Sequence, residues 1–195
     1  MARSTHPAPP AHGGNRSLRI IGGKWRGRKL QFPEVEGIRP TPDRVRETLF
    51  NWLMAQLHGA RCLDLFAGSG AVGFEALSRG AGEVVMVEQE ARVVRYLRQS
   101  GELLGSEHLS VIQGDALRYL QGPATPFDIV FLDPPFRRDL LAPCLQALQS
   151  ADWLAPGALI YIEVEKELAE LNLPPAWELR KHKVSGQVAY HLVQA

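Results

Sequence analysis

Apolar positions recur along the chain with two different periods, and the change between them divides it. In "RPTPDRVRETLFNWLMAQL", Val45, Leu49, Trp52, Leu53 and Leu57 fall three or four apart, which predicts an amphipathic helix. Thr41 is placed to cap that helix and Pro42 to fill its first position. Upstream, "SLRIIGGKWRGRKLQFP" sets two β-forming runs around Gly22-Gly23, which predicts a short hairpin. After His58-Gly59, short apolar runs alternate with helical stretches. Strands are expected at 61–65, 83–88, 109–112, 127–132 and 158–164, with helices at 71–79, 90–104, 115–121 and 138–150 between them. This rhythm implies an α/β fold with a mostly parallel, Rossmann-like sheet covered on both faces. The last run, "WELRKHKVSGQVAYHLVQ", reads as two strands around Ser185-Gly186, a terminal antiparallel pair.

Three stretches follow from these patterns: a disordered tail over 1–15, a basic hairpin and helix over 16–58, and the main domain over 59–195. The tail is rich in Pro, Gly and small residues and has no apolar signal core. No apolar run approaches the ~20 residues of a membrane helix. Cys62 and Cys144 each sit among apolar residues, which suggests two buried, reduced thiols in a cytoplasmic protein. The six histidines show no ligand spacing, and no metal is expected. Nothing in the pattern demands more than a monomer.

Charge changes this picture more than composition does. The net charge is +1, yet residues 1–46 hold ten Lys and Arg against three acids, leaving twelve bases against eighteen acids in the rest. A basic front on an acidic body suggests a polyanion met by one part of the molecule. Lys24, Arg26, Arg28 and Lys29 cluster on the hairpin, and Arg39, Arg44 and Arg46 lie at the start of the first helix. With Trp25 among them, these residues are candidates for gripping nucleic-acid phosphates.

The stretch "CLDLFAGSGAVGFEAL" has the strand, glycine turn and helix that hold a nucleotide-like ligand at a sheet's switch point. Glycines let the backbone turn tightly there, and the helix start offers free N–H groups. Phe66, Ala67, Gly68, Ser69 and Gly70 are therefore candidate cofactor contacts. Glu88 ends the next strand 18 positions after Gly70, where an acid can accept from both hydroxyls of a ribose. Asp64 lies inside an apolar strand, where a carboxylate could reach a cationic amino-acid tail. Asp115, after the third strand, could cap the next helix or meet an adenine amino group beside the Ala116 N–H. Then comes "FLDPPF", residues 131–136, with an acid, two prolines and an aromatic ring at a strand's end.

Together "DLFAGSG", Glu88, "GDA" and "DPPF" resemble the Class I S-adenosylmethionine-dependent methyltransferases of nucleobase amines. From about residue 18 onward, "RIIGGKWRGRKL", "RPTPDRVRETLFNWL", "DLFAGSGAVGFEALSRGA", "DPPFRRDLL" and "GQVAYHL" resemble the RsmD family. The resemblance implies S-adenosyl-L-methionine as cofactor and methylation of a guanine N2 amine in 16S ribosomal RNA, within an assembled or partly assembled small subunit. It also implies a cofactor contact for Thr41. An aromatic amine is a weak nucleophile, because its lone pair is delocalised into the ring. Two acceptors facing its N–H bonds, the Asp133 carboxylate and the Pro134 carbonyl, would favour a pyramidal nitrogen. Pro135 would fix the Pro134 carbonyl's direction, and Phe136 would stack on the flipped-out base. Adenine-N6 methylation of DNA or RNA, a nicotinamide-dependent dehydrogenase and a non-catalytic RNA-binding factor are the competing readings.

Overall fold

The computed structural model describes residues 15–35, 38, 40–168 and 170–195. Its centre is a seven-stranded sheet of order β5-β4-β3-β6-β7-β9-β8. The parallel strands are β3 (Arg61–Asp64), β4 (Glu83–Glu88), β5 (Leu109–Gln113), β6 (Phe127–Leu132) and β7 (Leu154–Glu165). Then β9 (Val188–Gln194) runs antiparallel to β7, and β8 (Glu178–Ser185) antiparallel to β9. A separate two-stranded sheet pairs β1 (Asn15–Arg19) with β2 (Lys29–Pro33). The expected α/β architecture, the terminal antiparallel pair and the hairpin are all present. The expected tail lies outside the described residues, apart from Asn15 at the start of β1.

Alternation along each strand divides the core in two. Cys62, Met86, Phe131, Tyr161 and Leu192 pack against α1 (Asp43–Trp52), α2 (Ala71–Ser78), α3 (Ala91–Leu104) and the hairpin. Leu63, Val87, Leu132, Ile162 and Val193 pack on α4 (Ala116–Leu120) and α5 (Leu141–Ser150). The central strands β3, β4, β6 and β7, with β9 beside them, are thus apolar on both faces, as a doubly covered sheet requires, while the edge strands β5 and β8 are largely exposed. Cys62 and Cys144 are buried and unlinked, and burial pushes both thiols up, Cys144 to about 12. Among the described residues no helix is long and apolar enough to cross a membrane.

Several expectations change. Pro42 is the α1 N-cap, and no side chain caps the helix. Thr41 lies one residue earlier, its carbonyl accepting from Arg46 Nε at 3.1 Å. The hairpin arms are joined by a wider loop than a Gly-Gly turn, containing a 3-10 turn over Gly23–Trp25. That loop is drawn inward. Trp25 is buried, its N–H donates to Ser78 Oγ at 3.0 Å, and Lys24 Nζ lies 4.2 Å from its ring centre. Trp25 is therefore a core anchor and not a nucleic-acid contact. The fourth expected helix starts at Leu141 and not at 138, because Arg137 (φ 58°) and Asp139 (φ 50°) adopt left-handed backbone.

Arg46 also departs from expectation. Its side chain is 1% exposed, and Nη1 lies 3.0 Å from the equally buried Glu75. Nη2 donates to Asp43 Oδ1 at 2.6 Å and to the Arg19 carbonyl at 2.9 Å. Glu75 in turn accepts from the Ile21 N–H at 2.9 Å and from Arg79 Nε at 2.7 Å. This network ties the hairpin and α1 to α2. With its side chain 1% exposed and four of its five N–H donors engaged, Arg46 is out of reach of a phosphate and is structural.

Candidate active site

Strand order reverses between β3 and β6: the chain leaves β3 towards β4 on one side and later returns to β6 on the other. Loops following these two strands flank the crevice where α/β sheets bind ligands. They are the glycine turn and the DPPF segment. Around 360 Å³ of open recess exists at the opposite strand ends, lined by residues such as His58, Asp128 and Gly157, none of them a candidate.

The turn is built from tight local bonds. Gly70 caps α2 with φ 74°, which a side chain rarely adopts, and a Cβ there would press on Phe74 and Leu97. Its N–H donates to the Ala67 carbonyl at 2.7 Å, and the Ala67 N–H to Val87 at 3.0 Å. Ser69 is buried, its carbonyl accepting from the Tyr96 hydroxyl at 3.3 Å. Ile38 lies over the turn, 3.7 Å from where a Gly68 Cβ would stand. Phe66 is half-buried beside it.

Four carboxylates lie at or near the C-terminal ends of four neighbouring strands, on one face of the sheet. Asp64 is in register with Met86, Phe131 and, through Phe131, Tyr161. Two residues further along, on the same face by alternation, stand Glu88, Asp133 and Glu163. Asp64 is buried and accepts from the Gly73 N–H at 3.2 Å, the third amide of α2. Gly73 must be glycine for packing: a Cβ would overlap the Met86 methyl and crowd Asp64. Burial pushes the Asp64 carboxyl up to about 7; the Gly73 hydrogen bond opposes the rise and the Glu88 charge adds to it. Burial, then Glu163 and Asp64, holds Asp133 well above the usual carboxylate range.

Glu88 Oε2 accepts from the Gly68 N–H at 2.9 Å and Oε1 from the Glu90 N–H at 2.8 Å, so this acid joins the turn to its own strand end. Asp115 is the α4 N-cap, Oδ1 accepting from the Arg118 N–H at 3.0 Å; Ala116 is the buried first residue of that helix. Pro134 is buried, and its carbonyl accepts no bond from the described residues. Phe136 is 43% exposed at the crevice edge.

The structure thus brings Asp64, Glu88, Asp133 and the glycine turn together and places Asp115 at the adjoining strand end. Glu163 went unnoticed in the sequence. The signal for it is the one that marked Asp64: a carboxylate on the inward phase of an apolar strand, in "LIYIEVE". Tyr161, two residues back on the same face, donates its hydroxyl to Glu163 Oε2 at 2.8 Å. Burial also raises Glu163, with that hydrogen bond opposing.

On the hairpin, Lys24, Arg26, Arg28 and Lys29 are exposed, as is Arg44, which reaches Ser185 Oγ at 3.1 Å. Arg28 also donates to the Leu103 carbonyl at 3.3 Å. Arg39 lies outside the described residues.

Comparison with known proteins accords with this geometry. The profile of a family described as conserved hypothetical protein 95 matches residues 18–194. Ribosomal RNA small subunit methyltransferase D of Escherichia coli (strain K12) is 49% identical over 185 residues, covering 95% of this chain and 93% of the relative. Its namesake in Haemophilus influenzae is 48% identical over 181 residues, 91% of this chain and 93% of the relative. A solved structure, the putative methyltransferase yhhF from Escherichia coli, superposes with a TM-score of 0.87 at 47% identity, covering 92% of this chain and 98% of that one. The chain belongs to the conserved hypothetical protein 95 family, the RsmD family of ribosomal RNA small subunit methyltransferases.

Proposed function

We propose that this protein methylates the N2 amine of a guanine in 16S ribosomal RNA, using S-adenosyl-L-methionine. The observation that carries the reading is the row of carboxylates on one sheet face, beginning at the glycine turn and reaching the DPPF tip. No Lys or Arg is ion-paired to Asp64, Glu88, Asp133 or Glu163 among the described residues. An acidic crevice of this kind suits a ligand that brings its own positive charges, a sulfonium and an ammonium. Asp64 would face the ammonium, Glu88 the ribose, Asp115 and the Ala116 N–H the adenine, with residues 66–70 and Thr41 around the methionine end. Bound there, the cofactor supplies an electrophilic methyl group.

The remaining work falls to this chain. The Asp133 carboxylate and the Pro134 carbonyl hold the two amine hydrogens and turn the nitrogen's lone pair towards the methyl. Pro135 restricts the backbone of Pro134, so the second acceptor is set before the base arrives. Asp133 then takes the proton that the methylated amine sheds, a role suited to a carboxyl with a raised pKa. Phe136 supports the base once it has left its stack. The exposed bases of residues 16–58, Lys24, Arg26, Arg28, Lys29 and Arg44, grip RNA phosphates without reading sequence. The substrate is an assembled or partly assembled small subunit, and the enzyme acts as a cytoplasmic monomer.

Incubation with methyl-labelled cofactor and undermethylated small subunits, followed by nuclease digestion, is expected to give N2-methylguanosine. Label in N6-methyladenosine, or in no nucleoside, rejects the proposal.

Asp64 gives a pH-dependent prediction. Its carboxyl is raised from 3.8 to about 7 in the folded protein, so the protonated form favours the fold. That contribution is complete below the unfolded value and disappears as pH rises through about 7. An ammonium ligand needs the ionised form, which gives binding the opposite dependence. Calorimetry with S-adenosylhomocysteine is expected to show affinity falling by about tenfold per unit below pH 7 and levelling above it, with proton release at pH 6. A flat profile with no buffer-dependent heat removes Asp64 from the ammonium.

A further inference from the structure

Asp133 and Pro134 explain how an aromatic amine is held, yet guanine and adenine both offer one. What distinguishes them is the neighbouring ring nitrogen. Guanine presents N1–H, a donor, beside its amine; adenine presents an N1 lone pair, an acceptor. A site that selects guanine therefore needs a second acceptor directly beside the one that holds the amine.

Glu163 occupies that position. Strands β6 and β7 are parallel and in register through Leu132 and Ile162, which sets Asp133 and Glu163 on adjacent strands of the same face. Neighbouring strands lie about 4.8 Å apart. Only 6% of Glu163 is exposed, and Oε2 is occupied by the Tyr161 hydroxyl at 2.8 Å. Oε1 accepts no bond from a described residue. Among the described residues no Lys or Arg is ion-paired to it. In the same row of the sheet, beyond Tyr190, the nearest base is the exposed Lys183, two strands away. A buried carboxylate with one oxygen held by a neighbour and the other without a donor among the described residues is an acceptor prepared for an incoming one.

We infer that Glu163 accepts the N1–H of the target guanine, next to the amine held by Asp133, and so excludes adenine; this rests on the guanine-N2 reading above. An adenine in the same pose would set its N1 lone pair against the carboxylate and leave both unpaired. Tyr161 is the positioning residue that fixes which oxygen faces the base.

The probe is 2-aminopurine, which keeps the C2 amine but has an unprotonated N1. The methylated guanine is first located with wild-type enzyme. Small subunits are then reconstituted with guanine or 2-aminopurine at that position, and initial rates are measured for the wild type and for Glu163→Gln. Wild type is expected to prefer guanine by about a hundredfold or more. In Glu163→Gln the Tyr161 hydroxyl retains the amide oxygen and turns the NH₂ outward, where it suits an N1 lone pair. The preference is then expected to fall below about tenfold. If Glu163→Gln loses its fold or its S-adenosylhomocysteine affinity, Glu163→Ala is read the same way. A wild-type ratio near one, or a folded variant that keeps the wild-type ratio, overturns the inference. The wild-type ratio needs no variant, so misfolding cannot shield it. Failure to form N2-methylguanosine on the guanine particle removes the parent reading as well. Formation of N2-methylguanosine with a ratio near one removes this inference alone.

Discussion

Replacing Asp133 with alanine is expected to lower the rate of methyl transfer by about 10²–10³-fold while RNA affinity stays at the wild-type level. The side chain is small, half-buried and far in sequence from the basic front, so its removal leaves the proposed phosphate contacts intact. What it removes, on the proposed mechanism, is one of the two acceptors that orient the amine, together with the acceptor for its proton. Both contributions are realised as the nitrogen becomes pyramidal, so the loss should appear in kcat more than in KM. Removing a carboxylate also relieves repulsion within the acidic row. Binding of S-adenosylhomocysteine should therefore not weaken by the same factor. Single-turnover kinetics with labelled cofactor, alongside filter binding of RNA, makes the comparison. Wild-type turnover in Asp133→Ala would leave the proposed chemistry without its central group.

A second large effect is expected at Arg46. Truncation to alanine leaves Glu75, completely buried, with only Arg79 and a backbone amide as partners. Breaking a buried ion pair from one side costs about 3–5 kcal/mol. For a chain of this size that lowers the melting temperature by roughly 6–20 °C. An apolar pair of similar volume, Arg46→Met with Glu75→Leu, should recover part of that loss, because neither charge is then stranded. Thermal unfolding of the three variants is the measurement. A melting temperature unchanged in Arg46→Ala, with weakened RNA binding, would restore Arg46 to the phosphate-binding set.

The contrast between Arg44 and Arg46 shows where sequence reading stops. Both sit in the first turns of α1 in a basic run, and both were candidates for phosphate. The buried side of that helix is Val45, Arg46, Leu49 and Phe50, a stripe rotated from the one that apolar spacing suggested. Trp52, counted in the stripe, is only half-buried. An arginine belongs in such a stripe only if an acid meets it, and Glu75 is 29 residues away. Trp25 poses the same difficulty, because its partner Ser78 lies on another element. The strand and helix order was legible because it depends on local periodicity. Asp64 and Glu88 were legible as candidates because a carboxylate in or at the end of an apolar strand is locally anomalous, and Asp115 because an acid before a helix can cap it. Glu163 carried the same anomaly, but its meaning depends on which strand lies beside β6, and that is a property of the assembled sheet.

One helix begins at the glycine turn and ends, at Ser78 and Arg79, beneath the hairpin loop, with Glu75 bonded along the way to Ile21 and Arg46. It spans about 12 Å at the usual rise per residue. A hairpin anchored this way cannot swing relative to the crevice without breaking buried hydrogen bonds to α2. If the front holds phosphates as proposed, α2 acts as a ruler, setting how far along the RNA surface the modified nucleotide must lie from the point of grip. Choice of target then becomes partly a matter of measured distance, and a folded particle presents fixed distances where a loose strand does not.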